Sequence, residues 1–359
     1  MTPALELLYA SQDLSSEQTE ELFTKIFNGE TDPAVFASIL TALKMKGEAP
    51  SEIAGAARAM VRAARHFPRP EGIEIGEIVG TGGDGKQSIN VSTIAALGAA
   101  SNGLFIAKHG NRSVSSKTGA SDLLTALGFN IAPDPEQAAE LLVRTGFAFC
   151  FAQLYHTSMK NVMPVRSALA TRTIFNILGP LTNPSHPDYA VIGVYDTALI
   201  KPVAQTLKEL GMKRGFVVHG SGYDEVSVSG PSEYARLYEN GDIQTGRFTP
   251  ADFGITAKYT EEDVKGGLPE ENARIAQAVL SGRGKPAHNE SSRARPLQPD
   301  APSESSKHTA TLPGTVRSRK PLKPHSLQER THQNAVESVF WQVRRSIRSR
   351  AVDSGLGSA

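Results

Sequence analysis

Between Glu77 and Ala120 the chain carries two loops whose residue types could hold a polyanion. An apolar strand containing Ile78 and Val79 runs into Gly80-Thr81-Gly82-Gly83-Asp84-Gly85. A second strand, Phe105-Ile106-Ala107, runs into Lys108-His109-Gly110-Asn111-Arg112-Ser113-Val114-Ser115-Ser116. Glycines let the first loop take positive φ and turn its N–H groups toward a ligand, whereas the second supplies cations and hydroxyls. Gly80, Gly82 and Gly85 also satisfy the dinucleotide fingerprint, but that site wants a carboxylate about 20 residues on. The chain has no Asp or Glu between Gly85 and Asp122. A phosphate-binding P-loop needs Ser or Thr after its Lys, and Gln87 follows Lys86 here. Asp84 would repel a phosphate unless it faces a sugar hydroxyl or a metal, so the loop points to a phosphorylated sugar.

These loops need a scaffold. The 359 residues suffice for two domains, and 39% hydrophobic with 21% charged residues fits a globular protein. The N-terminus lacks the basic start and apolar run of a signal peptide. No apolar stretch approaches the roughly 18 residues of a membrane helix, so a cytoplasmic protein without membrane contact is expected. The single cysteine, Cys150, lies in the apolar run Phe147–Phe151 and reads as a core thiol.

Residues 3 to 66 carry helical signals. Ser15-Ser16-Glu17-Gln18 offers a capping box, and Leu22, Phe23, Ile26 and Phe27 repeat at helical spacing. Val35, Ile39, Leu40 and Leu43 repeat it after Asp32-Pro33, and Ile53, Ala56, Ala57, Met60 and Val61 supply one more such face. From Glu77 onward strands (near 77–79, 104–108, 147–152, 190–195 and 215–219) alternate with helices (near 92–101, 119–128, 134–145 and 197–210). The expected fold class is therefore α/β: a small N-terminal helical bundle plus a larger domain with a mostly parallel sheet flanked by helices. Ligands in such sheets gather at the carboxyl ends of the strands, where both loops lie.

The domain boundaries expected are 1–70 for the bundle and 71–284 for the α/β domain. Inside the latter, a Pro- and Gly-punctuated insertion at about 160–187 returns to the bundle and brings Arg166 near the cleft. From 285 to 359 a basic tail follows. Residues 283–359 hold 14 Lys and Arg against 6 Asp and Glu, and seven prolines fall between Pro286 and Pro324. From Lys285 to Gln333 there is no Ile, Phe, Tyr, Trp or Met, so disorder is expected there. Val336 to Ile347 could form a short basic amphipathic helix.

The motifs, taken together, resemble the anthranilate phosphoribosyltransferase family of tryptophan biosynthesis. The resemblance rests on Gly80–Gly85, Ser88-Ile89-Asn90-Val91-Ser92-Thr93, Lys108–Ser116, Arg172–Pro184, and His219-Gly220 followed by Asp224-Glu225. It covers residues 1 to about 284. The tail has the unrelated character that a shifted reading frame would produce. Sequencing the gene around codon 285 tests that origin, and an intact frame refutes it.

The resemblance implies transfer of the phosphoribosyl group of 5-phosphoribosyl 1-pyrophosphate to anthranilate, with Mg²⁺ as cofactor and a homodimer formed through the helical lobe. It assigns the donor to Gly80, Gly83, Asp84, Ser88, Asn90, Val91, Ser92, Thr93, the Lys108–Ser116 loop (Lys108, His109, Gly110, Asn111, Arg112, Ser113, Val114, Ser115, Ser116) and Ala120. Anthranilate falls to Gly80, Asn111, His156, Met159 and Arg166, the last a guanidinium suited to a carboxylate. The metal falls to Ser92, Asp224 and Glu225. No residue reads as nucleophile or strong base. Two rivals stand beside this reading. A pyrimidine-nucleoside-phosphorylase-type enzyme would use phosphate as acceptor, and Asn111, Arg166 and the Arg172–Pro184 motif weigh against it. A non-catalytic homologue binding nucleic acid through the basic tail would leave the complete glycine and Asp-Glu motifs unexplained.

Overall fold

The computed structural model describes residues 3–112 and 117–292. Ser113, Val114, Ser115 and Ser116 lie outside the described residues, as does the tail from 293, including the helix expected at Val336–Ile347.

Four helices open the chain: α1 (Pro3–Tyr9), α2 (Ser16–Asn28), α3 (Pro33–Lys46) and α4 (Pro50–Arg62). The capping box at Ser15 forms, with Ser15 Oγ accepting from Gln18 N–H while Gln18 accepts in return from Ser15 N–H. Asp32 caps α3, and Pro33 and Pro50 stand at first-turn positions where no N–H is needed. Glu52 went unread in the sequence as a buried carboxylate. It accepts from Leu14 N–H (3.0 Å), Ala49 N–H (2.8 Å) and the Lys46 ammonium (2.9 Å), tying three bundle segments together.

The larger domain holds a seven-stranded sheet ordered β3-β2-β1-β4-β5-β6-β7. Strands β1 (Ile75–Gly80), β2 (Phe105–Gly110), β3 (Phe147–Phe151), β4 (Tyr189–Gly193) and β5 (Arg214–Gly220) run parallel. Sequence periodicity finds these five and misses the antiparallel pair β6 (Ser232–Leu237) and β7 (Ile243–Phe248). The signal was present: Asn240-Gly241 lies between two half-alternating runs, and Gly241 takes φ +84° in the connecting turn. The order reverses between β1 and β4, which sets a topological switch point at their carboxyl ends.

Both faces of the sheet are covered by elements that alternation along the strands selects. Ile106, Phe147 and Phe149 pack with α5 (Val91–Ser101), α6 (Ala120–Ala126) and α12 (Pro269–Leu280). The intervening Ala107, Ala148 and Cys150 pack with α7 (Pro135–Thr145) on the other side. Burial pushes the Cys150 thiol up, as a core residue requires. On that same side Ile192 and Val217 join α11 (Ile200–Glu209) and the bundle in one continuous apolar cluster.

The chain after β3 packs on the bundle. After the short α8 (Ala152–Tyr155), α9 (Met163–Leu169) and α10 (Phe175–Leu178) follow, and Phe175 sits with its ring centroid 5.9 Å from Phe23, 6.2 Å from Phe27 and 6.2 Å from Phe36. At the other end, order does not stop at Gly284 as composition suggested. Residues Pro286–Ser291 form α13, whose Ala287 is buried against Tyr223, Val228 and Val264. One apolar alanine turned inward is enough to seat a turn of helix that average composition does not reveal. A trough of about 280 Å³ lies beside α13, walled by Val191, Phe216, Val218, Phe248 and Phe253; Val191 is 37% exposed there.

Candidate active site

The glycine loop leaves β1 at the switch point. Gly82, Gly83 and Gly85 take φ of +68°, +80° and +76°, the region the sequence argument required of them. Gly80 has a different task. A Cβ there would lie 2.1 Å from Asp224 Oδ2, and one at Gly193 would lie 1.6 Å from the Asp224 carbonyl oxygen. Glycines at the paired ends of β1 and β4 therefore make room for the turn that carries Asp224 and Glu225. Asp224 Oδ2 accepts from Gly82 N–H at 2.6 Å, which locks that turn to the glycine loop.

Three carboxylates crowd this point. Asp84 Oδ1 accepts from Lys86 N–H at 3.1 Å, while its Oδ2 is buried with no partner. Burial, reinforced by the charge of Asp84, raises Asp224 to about 7, and burial with the charge of Asp224 raises Glu225 well above the usual carboxylate range. Among the described residues no three His, Cys, Asp or Glu side chains are arranged to hold a metal alone. Mg²⁺ does not require that, since it keeps waters and usually takes one or two carboxylates together with substrate phosphate oxygens. An unpartnered Asp84 oxygen beside two disfavoured anions fits a divalent cation. The sequence left Asp84 facing either a sugar hydroxyl or a metal, and the fold sets it beside Asp224.

Behind the loop, α5 starts at Val91 with Asn90 as N-cap, leaving N–H groups at its first turn without a side-chain cap. Asn90 is held from two sides, donating to the Thr118 carbonyl (2.9 Å) and accepting from Asn272 (2.9 Å). Val91 and Thr93 are buried, Thr93 Oγ1 has no partner, and Ser88 pairs with Lys265 in an isolated bridge.

The second loop needs a correction. Lys108 read as a loop cation, but it belongs to β2 and its side chain is buried. The β1–β2 ladder has only two residue pairs, ending at Gly76↔Ile106, and side chains take over beyond them. Lys108 Nζ donates to the Ile78 carbonyl and lies 3.3 Å from Ser92 Oγ; Glu77 accepts from His109 N–H at 2.9 Å; Asn183 donates to Glu77 and to the Ala107 carbonyl. Burial pushes the Lys108 ammonium down and the Glu77 carboxyl up, while their mutual attraction opposes both shifts. Glu77 and Asn183 were missed as site-building residues. A charged residue inside an apolar strand was the available signal for Glu77.

His109 is likewise inside, its Nδ1 donating to the Gly179 carbonyl at 3.0 Å and its ring centroid 5.0 Å from that of His156. Burial lowers His109 to about 3 and His156 to about 4, so both are neutral imidazoles at physiological pH. The backbone of Thr182 and Met60 faces the His156 ring and opposes its shift without offsetting it. His109 Nε2 has no hydrogen-bond partner. Asn111 holds Gln153 at 3.3 Å, and Arg112 stands 3.9 Å from Asp122, which lies two residues after Ala120 in α6. Arg166 projects from α9 with its guanidinium 5.3 Å from the Phe175 ring centroid and no ion-pair partner among the described residues. Met159, expected to line the acceptor channel, is partly buried and packs against the bundle's apolar cluster. The fold thus brings Gly80, Asp84, Asp224 and Glu225 together, sets Lys108 against Ser92, and places His109 against His156.

Fold and site define a two-domain glycosyl transferase. Family models for a glycosyl transferase helical bundle domain and a glycosyl transferase a/b domain match residues 2–64 and 74–294. The chain is 53% identical over 285 residues to the anthranilate phosphoribosyltransferase of Aeromonas salmonicida, covering 79% of this chain and 84% of that protein. With the Yersinia pseudotuberculosis enzyme of the same name (strain YPIII) it shares 49% over 288 residues, or 80% and 86% of the two chains. Among solved structures, the anthranilate phosphoribosyltransferase of Thermus thermophilus superposes with a TM-score of 0.75 at 41% identity, covering 81% of this chain and 86% of that one. The Saccharomyces cerevisiae enzyme in complex with PRPP and Mg gives 0.71 at 31%, covering 80% and 83%. The chain belongs to the anthranilate phosphoribosyltransferase family.

Proposed function

We propose that this protein transfers the phosphoribosyl group of 5-phosphoribosyl 1-pyrophosphate to anthranilate, releasing pyrophosphate, as the second step of tryptophan biosynthesis from chorismate. The observation that carries this reading is the carboxylate crowding of Asp84, Asp224 and Glu225 where the glycine loop meets the ends of β1, β4 and β5. Such crowding suits a cation held jointly by protein and diphosphate.

In this reading Asp224 and Glu225, with Ser92, hold Mg²⁺, which supplies positive charge against the leaving diphosphate. The N-terminus of α5, which no side chain caps, faces a donor phosphate with the positive end of the helix. Gly83, Asp84 and Ser88 border the ribose and diphosphate on the β1 side, and Asn111 and Arg112, with Ala120, border them on the β2 side, where the buried Lys108 and His109 support the end of the strand. Arg166 pairs with the anthranilate carboxylate, with Asn111 and His156 beside it. The amine lone pair forms the new bond to the anomeric carbon as the carbon–oxygen bond to diphosphate breaks. The nitrogen then loses its proton to solvent, so no protein base is needed. Catalysis is alignment and leaving-group charge stabilisation.

No helix among the described residues is long and apolar enough to cross a membrane. Tyr9, Met45 and Met163 are 55%, 80% and 47% exposed, and all belong to the bundle or the insertion that packs on it. Leu104, Val143 and Leu268 of the α/β domain are comparably exposed, so the homodimer through the helical lobe rests on the family resemblance. Titration calorimetry tests the two subsites. Arg166→Ala weakens anthranilate chiefly, and Asp224→Asn weakens Mg²⁺-dependent donor binding chiefly; equal effects of either variant on both ligands contradict the assignment.

A further inference from the structure

We infer that Arg172 is a positioning residue that couples the donor and acceptor subsites; the inference rests on the two-substrate reading above. Arg172 lies in the insertion, six positions after Arg166, where Ala170 ends α9 in the left-handed conformation at φ +45°. Its guanidinium donates to the Gly83 carbonyl of the glycine loop and stacks 4.1 Å from the Tyr195 ring centroid. Tyr195 is itself fastened to that loop, its N–H donating to Thr81 Oγ1 at 3.1 Å, while Thr81 N–H donates to the Gly193 carbonyl at 2.9 Å. The neighbouring Thr171 Oγ1 accepts from Lys44 of α3.

Two consecutive residues thus grip both lobes: Thr171 the bundle, Arg172 the donor loop. Arg172 has no ion-pair partner among the described residues. Its hold on the glycine loop is one neutral carbonyl and one aromatic face, both exchangeable contacts at an exposed position. Closing the glycine loop on a donor fixes Gly83, and through Arg172 fixes the segment that carries Arg166. By linkage, the donor then raises acceptor affinity and the acceptor raises donor affinity by the same factor.

The test is calorimetry of benzoate binding to the full chain with and without saturating 5-phosphoribosyl 1-pyrophosphate and Mg²⁺; benzoate keeps the acceptor's carboxylate and lacks the attacking amine, so no transfer occurs. In the wild type the donor tightens this non-reacting acceptor by about five-fold or more. In Arg172→Ala that factor falls to about one, while each ligand alone binds within roughly two-fold of wild type. Tyr195→Leu, which removes the stack and leaves the guanidinium, lowers the factor part of the way, and its melting temperature serves as the folding control. A wild type that binds both ligands with no coupling overturns the inference. So does an Arg172→Ala that loses donor affinity but keeps the coupling factor, since Arg172 would then be a phosphate contact only. Failure of the wild type to bind either ligand instead removes the two-substrate reading beneath it.

Discussion

At the scale of single residues, burial sets the protonation of the groups that build the site. His109 and His156 are neutral because protein surrounds them, with pKa values near 3 and 4 against 6.5 unfolded. A base with a depressed folded pKa contributes stability that is present above its unfolded pKa and lost as pH falls through the folded value. Unfolding free energy should therefore drop between pH 6.5 and 4, by on the order of 3 kcal/mol for one such histidine. Urea melts across that window check this: His156→Phe should flatten the slope relative to wild type, and an unchanged slope would contradict the neutral assignment. The three carboxylates predict a complementary effect. Thermal melts should show Mg²⁺ raising the Tm of the wild type, and in chelator Asp224→Asn should melt at or above the wild-type temperature while losing the Mg²⁺ response. A variant that melts lower in chelator would mean Asp224 is satisfied without a cation.

At the scale of elements, the β1–β2 crevice is opened by a ladder that ends early and is then continued by side chains of Glu77, Lys108 and Asn183. Glu77→Ala strands the buried His109 N–H and should cost about 3 kcal/mol, whereas Glu77→Gln keeps an acceptor and should cost about 1 kcal/mol. Denaturant titration of the two variants separates them, and equal costs would show that the carboxylate's hydrogen bonds are not what joins the strands. Gly193→Ala should fail to fold as wild type, because its Cβ would enter the Asp224 carbonyl. Much of this level was legible beforehand. The five parallel strands, their helices and the capping of α2 follow from periodicity and capping chemistry, which are local. The Glu77–His109–Asn183 network was not legible, since it joins residues 32 and 106 positions apart whose meeting depends on the sheet order. Lys108 was misjudged for the same reason: its loop-like neighbours hide that a shortened ladder leaves a slot for its side chain.

At the scale of the whole molecule, the bundle and the α/β domain share one continuous apolar cluster through α11, Ile192 and Val217. The insertion at Val162–Leu181 belongs to that cluster too, so it positions Arg166 as part of the lobe interface rather than as a free loop. The dimer proposed through the helical lobe would cover Met45, the most exposed apolar side chain of that lobe. Sedimentation velocity should find a dimer that Met45→Glu weakens at least ten-fold, roughly 1.4 kcal/mol or more; an unaffected dimer would place the interface elsewhere. All of these levels converge on one activity. Mixing the folded full-length protein with anthranilate, 5-phosphoribosyl 1-pyrophosphate and Mg²⁺ and following the fluorescence of the phosphoribosylated product tests it most directly. Product should accumulate with one pyrophosphate released per transfer, and stop when donor or Mg²⁺ is withheld. Well-folded protein that forms no product under these conditions would contradict the assignment of this site to phosphoribosyl transfer.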